Sequence, residues 1–170
     1  MPMPDASAEP APRPSARVLL LDPDDRLLLL CYRSPRTTKR WWITVGGGLD
    51  PDETFEACAL RELHEETGIE GVALGPCVWT YDHVILDLQG RDLSMRERFY
   101  VVRAPSTRVD TSGWDEVERE VLIQHRWWSA DELDAAARAF GPDEALAPPG
   151  LPDLIRPILL GDYPNPPLVL

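Results

Sequence analysis

Gly47-Gly-Leu-Asp-Pro-Asp-Glu-Thr-Phe-Glu-Ala-Cys-Ala-Leu-Arg-Glu-Leu-His-Glu-Glu-Thr-Gly-Ile69 sets glycines directly ahead of a helical stretch that carries Glu62, Glu65 and Glu66. An α-helix advances about 100° per residue, so positions i, i+3 and i+4 share one face, and these three carboxylates do. An isolated Glu-x-x-Glu-Glu is more often a solvated acidic face, where like charges four apart cost a few tenths of a kcal/mol. Here the preceding glycines and the spaced Glu53 turn the reading towards a cation site, because oxygen ligands on a rigid helix suit Mg²⁺ or Mn²⁺. The helix is expected from about Thr54 to Thr67, capped at its start by Thr54 or Asp50. Gly68 followed by Ile69 suits a left-handed exit. Leu60, Leu63 and Thr67 are expected to turn away from the glutamates, giving one face to the core and another to a cleft.

The rest of the chain sets bounds on this site. Its 170 residues, 44% of them apolar, are enough for one domain with a real core and too few for two. A formal charge of −12 repels polyanions, which excludes duplex nucleic acid as a partner but not a small phosphorylated ligand bridged by a metal. Cys31, Cys58 and Cys77 form no C-x-x-C pair and leave one thiol over, so they read as small buried residues in a reducing compartment. Residues 18–32 are interrupted by Asp22-Pro23-Asp24-Asp25, and no basic lead precedes an apolar run at the N-terminus. The expected location is the cytoplasm, with no membrane partner.

Taken outward from the helix, the N-terminal side holds a Pro/Ala-rich lead-in over residues 1–15, expected to be disordered. Two apolar runs between Arg17 and Tyr32 then read as a buried β-hairpin. Arg33, Arg36, Lys39 and Arg40 gather four cations ahead of a strand Trp41 to Val45. Singly they are solvated charges; as a group placed before the carboxylate helix they are candidates for meeting phosphates. On the C-terminal side, strands are expected at 72–81, 83–88 and 94–103, then an acidic loop at 110–120, a strand at 121–128 and a helix opened by Ser129-Ala-Asp-Glu132. Residues 141–170 read as a proline-rich tail with a short helix at 153–160, which puts the folded domain at 16–140.

With those elements in place, the opening stretch is seen to match G-x5-E-x7-R-E-U-x-E-E-x-G-U, where U is a bulky aliphatic. Gly47, Glu53, Arg61, Glu62, Leu63, Glu65, Glu66, Gly68 and Ile69 fill every position. From average residue usage, a chance match is rarer than about one in a billion per starting position. The stretch resembles the Nudix box, and the resemblance extends over roughly residues 17–140, with Trp41-Trp42-Ile-Thr-Val45 before the glycines and Arg126-Trp127-Trp128-Ser129 ahead of the late helix. One departure is Val45, where many members have proline.

The resemblance implies an α/β fold, an α/β/α sandwich with a mixed β-sheet. It also implies a Mg²⁺-dependent pyrophosphohydrolase acting on a nucleoside diphosphate linked to another group, with Mn²⁺ as a possible substitute. The Gly46 carbonyl, Glu62, Glu65 and Glu66 would be the metal ligands, and Arg61 would fix carboxylate rotamers beside Glu53. The general base varies among members: Glu66 or Glu65 is open, and Glu120, then Glu118, are the candidates from the acidic loop. Candidate substrate contacts are Arg33, Arg36, Lys39, Arg40, Gly47, Gly48 and Trp42, since adjacent tryptophans on a strand face opposite sides and one of them is free to stack on a base. The alternative is a non-catalytic nucleotide-binding module of the same family. A homodimer is compatible with either.

Overall fold

The computed structural model describes residues 11–87 and 89–170. The lead-in expected at residues 1–15 lies outside the described residues up to residue 10, and so does Leu88, the last residue of the strand expected at 83–88. At the other end of the lead-in, Arg13, Pro14 and Ser15 already belong to a strand, β1 (Arg13–Leu21). This strand is the axis of the molecule. On one side it runs parallel to β6 (Asp92–Arg103), in register from Arg13 with Met95 to Leu21 with Arg103. On its other side it pairs antiparallel with β4 (Val45–Gly48), where Arg17 stands opposite Gly46.

The expected hairpin between residues 17 and 32 exists only at its turn. Asp22, fully buried, accepts from the backbone N–H of Asp24 and of Arg26 and from Arg26 Nε, which fixes the reversal. Beyond it β1 and β2 (Leu27–Arg33) share the single register pair Leu21 with Leu27. Strand β2 then continues against β3 (Arg40–Ile43) and β7 (Leu122–Trp128). The stretch expected as one strand from Trp41 to Val45 breaks at Thr44, so that β3 pairs with β2 while β4 crosses to β1. The glycines expected as a loop are therefore part of a strand.

Strand β5 (Cys77–Leu86) pairs antiparallel with β6 as one continuous element, replacing the two strands expected at 72–81 and 83–88. Just before it, Gly75 donates to the Val101 carbonyl of β6 and has no room for a side chain there: a Cβ would stand 2.5 Å from that oxygen. The sheet order is β8-β3-β2-β1-β6-β5-β9, with β4 added beside β1 and β7 beside β2. Its mixture of parallel and antiparallel neighbours between helices is the α/β sandwich expected from the sequence.

Side-chain alternation along β1 divides the interior into two cores. Ala16, Val18 and Leu20 face α1 (Phe55–Thr67), with Cys58, Ala59 and Leu63 beneath them. Leu19 and Leu21 face the opposite layer, α3 (Ala130–Ala139) and α4 (Leu151–Leu159), with Trp42, Trp79, Phe99 and Trp128. The expected proline-rich tail thus joins the second core. Leu151, Ile155 and Ile158 recur at helical spacing and are buried. Pro152 falls in the first turn, where a missing N–H costs nothing. The same segment adds β8 (Glu144–Leu146) alongside β3 and β9 (Leu168–Val169) alongside β5. Among the described residues no helix is long and apolar enough to cross a membrane.

Candidate metal centre

Helix α1 begins where the sequence placed it. Thr54 accepts from the Ala57 N–H as N-cap, and Gly68, at φ 72°, closes the helix with its N–H on the His64 carbonyl. Its face distribution differs from expectation: Leu63 and Thr67 are buried, but Leu60 is exposed, and Glu62 and Glu66 lie on the buried side. The reason is the strand above them. A Cβ on Gly47 would sit 2.5 Å from Glu62 Oε1, so a glycine there leaves the volume into which the carboxylate sinks. Glu66 reaches the same strand and accepts the Gly46 N–H at 2.8 Å. Glu65 stays at the rim, about half exposed.

Arg61 gathers the carboxylates. Its Nε and Nη2 donate to the two oxygens of Glu53, both at 2.9 Å. Nη1 is shared between Glu62 at 2.9 Å and Glu65 at 3.0 Å, and Nη2 also reaches the Gly48 carbonyl at 3.1 Å. The fork fixes three rotamers at once, which a single ammonium does not do. Hydrogen bonds from Arg61 and from the Asp50 N–H hold the Glu53 carboxyl at about 2.

The third carboxylate comes from a distant segment. The last carbonyls of a helix lack intrahelical partners, and here Asp110 N–H binds the Thr67 carbonyl at 2.8 Å while Trp114 Nε1 binds that of Glu66 at 3.0 Å. Gly113 packs against the Glu65 carbonyl with no space for a Cβ. This loop delivers α2 (Glu116–Val121), whose capping box pairs the Asp115 side chain with the Glu118 N–H and the Glu118 side chain with the Asp115 N–H. The acidic stretch expected as irregular is thus partly helical. Its Asp-x-x-Glu spacing was the sequence signal for it.

Ligand atoms of Glu62, Glu66 and Glu118 come within 4.8 Å of one another. Burial raises the Glu66 carboxyl to about 8, opposed by the Gly46 N–H and reinforced by the charges of Glu62 and Glu118. Burial likewise raises Glu62, against the pull of Arg61. Three crowded oxygens in a poorly solvated recess are a donor set for a hard divalent cation, whose charge would offset what burial disfavours. The residues present fit such an ion.

Other expected positions fall differently. Glu120, ranked ahead of Glu118 as base, is exposed and outside the carboxylate group; its carbonyl accepts from Arg33 at 3.4 Å. Trp42 is buried, packs edge-on against Trp128 with centroids 4.9 Å apart, and donates Nε1 to Glu144, so it is core and not a base platform. Arg40 pairs with Glu144, Arg36 lies against Gly90 in the β5–β6 turn, and Lys39 is exposed. Arg33, Arg36 and Arg40 therefore have three separate neighbours, and Lys39 faces solvent. Gly48 backs the Arg13 guanidinium, and the Gly46 carbonyl accepts from Arg17 Nη1 at 3.2 Å. Sequence reasoning assigned Arg17 and its partner Glu97 no role.

A mixed sheet between helices, presenting helix-borne carboxylates beneath a glycine strand, defines the class of α/β domains with an acidic cluster that could hold a metal ion. The NUDIX domain model matches residues 11–148, and the chain belongs to that family. It is 38% identical to mouse diphosphoinositol polyphosphate phosphohydrolase 3-alpha over 56 residues, 27% of this chain and 34% of the relative. To human diphosphoinositol polyphosphate phosphohydrolase 3-beta it is 32% identical over 87 residues, 45% of this chain and 49% of the relative. The chain thus spans a third to a half of the length of these curated relatives. Among solved structures, the MutT protein from Methanosarcina mazei Go1 shares the fold with a TM-score of 0.55 at 19% identity, covering 86% of this chain and 93% of that one. The E. coli dihydroneopterin triphosphate pyrophosphohydrolase aligns with a TM-score of 0.54 at 22% identity, covering 74% and 84%.

Proposed function

We propose that the protein is a divalent-cation-dependent pyrophosphohydrolase that cleaves a nucleoside diphosphate linked to another moiety, or a related phosphorylated small molecule. The observation that carries this reading is the convergence of Glu62, Glu66 and Glu118 from two elements onto one recess lined by a strand of glycines. Glu62 and Glu66 would hold the cation, Mg²⁺ or Mn²⁺, with Glu65 at the rim. An ion held there would supply positive charge against the pyrophosphate oxygens and lower the pKa of a nearby water for attack on phosphorus. Arg61 and the Gly46 N–H keep the carboxylates in place, so that little reorganisation accompanies the reaction. Glu118 is the general base. Its capping bond to Asp115 fixes the carboxylate while leaving one oxygen to accept the water's proton. The three cysteines are free, consistent with work in the reducing cytoplasm.

The test is turnover, in Mg²⁺, of a panel of dNTPs, oxidised dNTPs, ADP-ribose, NADH, nucleotide sugars and dinucleoside polyphosphates. The names of the relatives add a diphosphoinositol polyphosphate and dihydroneopterin triphosphate. Hydrolysis of at least one is expected, abolished by chelator. Glu66→Gln should lower kcat by about a hundredfold or more. Absence of turnover across the panel would overturn the reading.

A further inference from the structure

On the face of the sheet opposite α1, β1 and β6 present apolar residues in successive layers: Leu19 and Leu21 from one, Phe99 and Val101 from the other. One step further along, the layer changes to Arg17 and Glu97. Arg17 Nε donates to Glu97 Oε1 at 2.6 Å, and Glu97 Oε2 lies 3.0 Å from His83 Nε2. The His83 ring is stacked on Tyr81 at 4.2 Å with planes 7° apart, so both oxygens of Glu97 have fixed partners. Burial works against the charged carboxylate, but Arg17 and His83 outweigh it and hold Glu97 at about 2. A buried ion pair is on average no more stabilising than apolar residues of the same volume, and the neighbouring layers of the same two strands are apolar. Stability alone therefore gives no reason for the charges.

Their position does. The free edge of the Arg17 guanidinium reaches Thr44 O at 3.5 Å and Gly46 O at 3.2 Å. Gly46 has φ 138°, and a Cβ there would lie 2.1 Å from the Ala16 carbonyl, so no side chain is available to anchor this backbone. It is gripped by charges instead: Glu66 takes its N–H from the α1 side, and Arg17 takes its carbonyl from the other. A continuous chain of contacts thus runs from β5 through β6, β1 and β4 to a carboxylate of the candidate metal centre.

We propose that Arg17 and Glu97 are positioning residues of that centre, fixing the Gly46 backbone, and through it Glu66, from the far side of the sheet. The inference rests on the cation-dependent reading above. Its test is Mn²⁺ affinity by titration calorimetry, together with kcat, KM and thermal midpoint, for Arg17→Lys and Glu97→Gln. Ile155→Val, in the remote core beside α4, serves as a control that lowers stability alone. Lysine keeps the charge but lacks the planar fork that sets Nε on Glu97 and Nη1 on the two carbonyls; glutamine still accepts the Arg17 N–H, so the fold is retained while the charge is lost. Both variants are expected to weaken Mn²⁺ binding by about tenfold or more and to lower kcat with KM little changed. The control should shift the thermal midpoint without touching Mn²⁺ affinity. Variants that melt earlier yet bind Mn²⁺ within about twofold of the parent would reduce the pair to a structural one and overturn the inference. A parent protein that binds no Mn²⁺ would overturn the cation-dependent reading itself, and this inference with it.

Discussion

Arg61 is the residue on which the local arrangement turns, because one guanidinium serves Glu53, Glu62 and Glu65 together. Replacing it with lysine keeps the charge and loses the fork. Activity is expected to fall by about tenfold or more, whereas Arg61→Ala, which leaves these carboxylates without a counter-charge, should also cost on the order of 2 kcal/mol in urea unfolding. Unchanged kcat in Arg61→Lys would remove the fork from the mechanism. At this scale the sequence was most informative where contacts are short in sequence. Glu53, Arg61, Glu62, Glu65 and Glu66 sit within one loop and three helical turns, so their spacing nearly determines their geometry. That Glu118 and not Glu120 joins Glu62 and Glu66 depended on how a later loop docks on the end of α1. Only the Asp115-x-x-Glu118 capping pattern pointed to it. The burial of Glu62 and Glu66 was hidden for another reason: Glu62 fills the space of the side chain that Gly47 lacks, and Glu66 is drawn in by the Gly46 backbone N–H.

Among the elements, the β1–β6 pair carries a pH dependence whose direction can be worked out. The Glu97 carboxyl has an ordinary value of 4.5 and is held at about 2 in the folded chain. Its contribution is therefore fully present above pH 4.5 and is lost as the pH falls towards 2, a loss on the order of 3 kcal/mol at one pKa unit per 1.4 kcal/mol. Thermal midpoints measured from pH 6 to pH 2 should fall less steeply in Glu97→Gln than in the parent; equal slopes would show that other carboxylates dominate. The element most misjudged from sequence was the strand expected from Trp41 to Val45. Alternation holds across the break, with Trp42 in the core beneath α3 and α4 and Ile43 and Val45 in that of α1, but β3 pairs with β2 while β4 pairs with β1, and one straight strand cannot follow both neighbours. The glycines, having no side chains to bury, let the backbone change partners there.

For the whole molecule, residues 141–170 complete the second core. Proline content alone favours a tail, but proline position is what matters: Pro152 lies in a first helical turn, and the apolar residues around it keep helical spacing. A chain ending at Phe140 would lose Ile155 and Ile158 from the core and the Glu144 partner of Trp42. It is expected to be insoluble or molten, with near-ultraviolet circular dichroism lost; a native spectrum would mean that the α1 layer folds alone. The parallel alignment of β1 with β6 has a consequence for biosynthesis. Arg17 and Glu97 are 80 positions apart, so the first strand leaves the ribosome long before its neighbour exists, and Glu118 emerges later still. A nascent chain thus carries the complete acidic motif for many seconds with no recess to hold it. On the cation-dependent reading proposed above, affinity for the ion is then acquired only once Glu118 has emerged and the fold has closed around the motif.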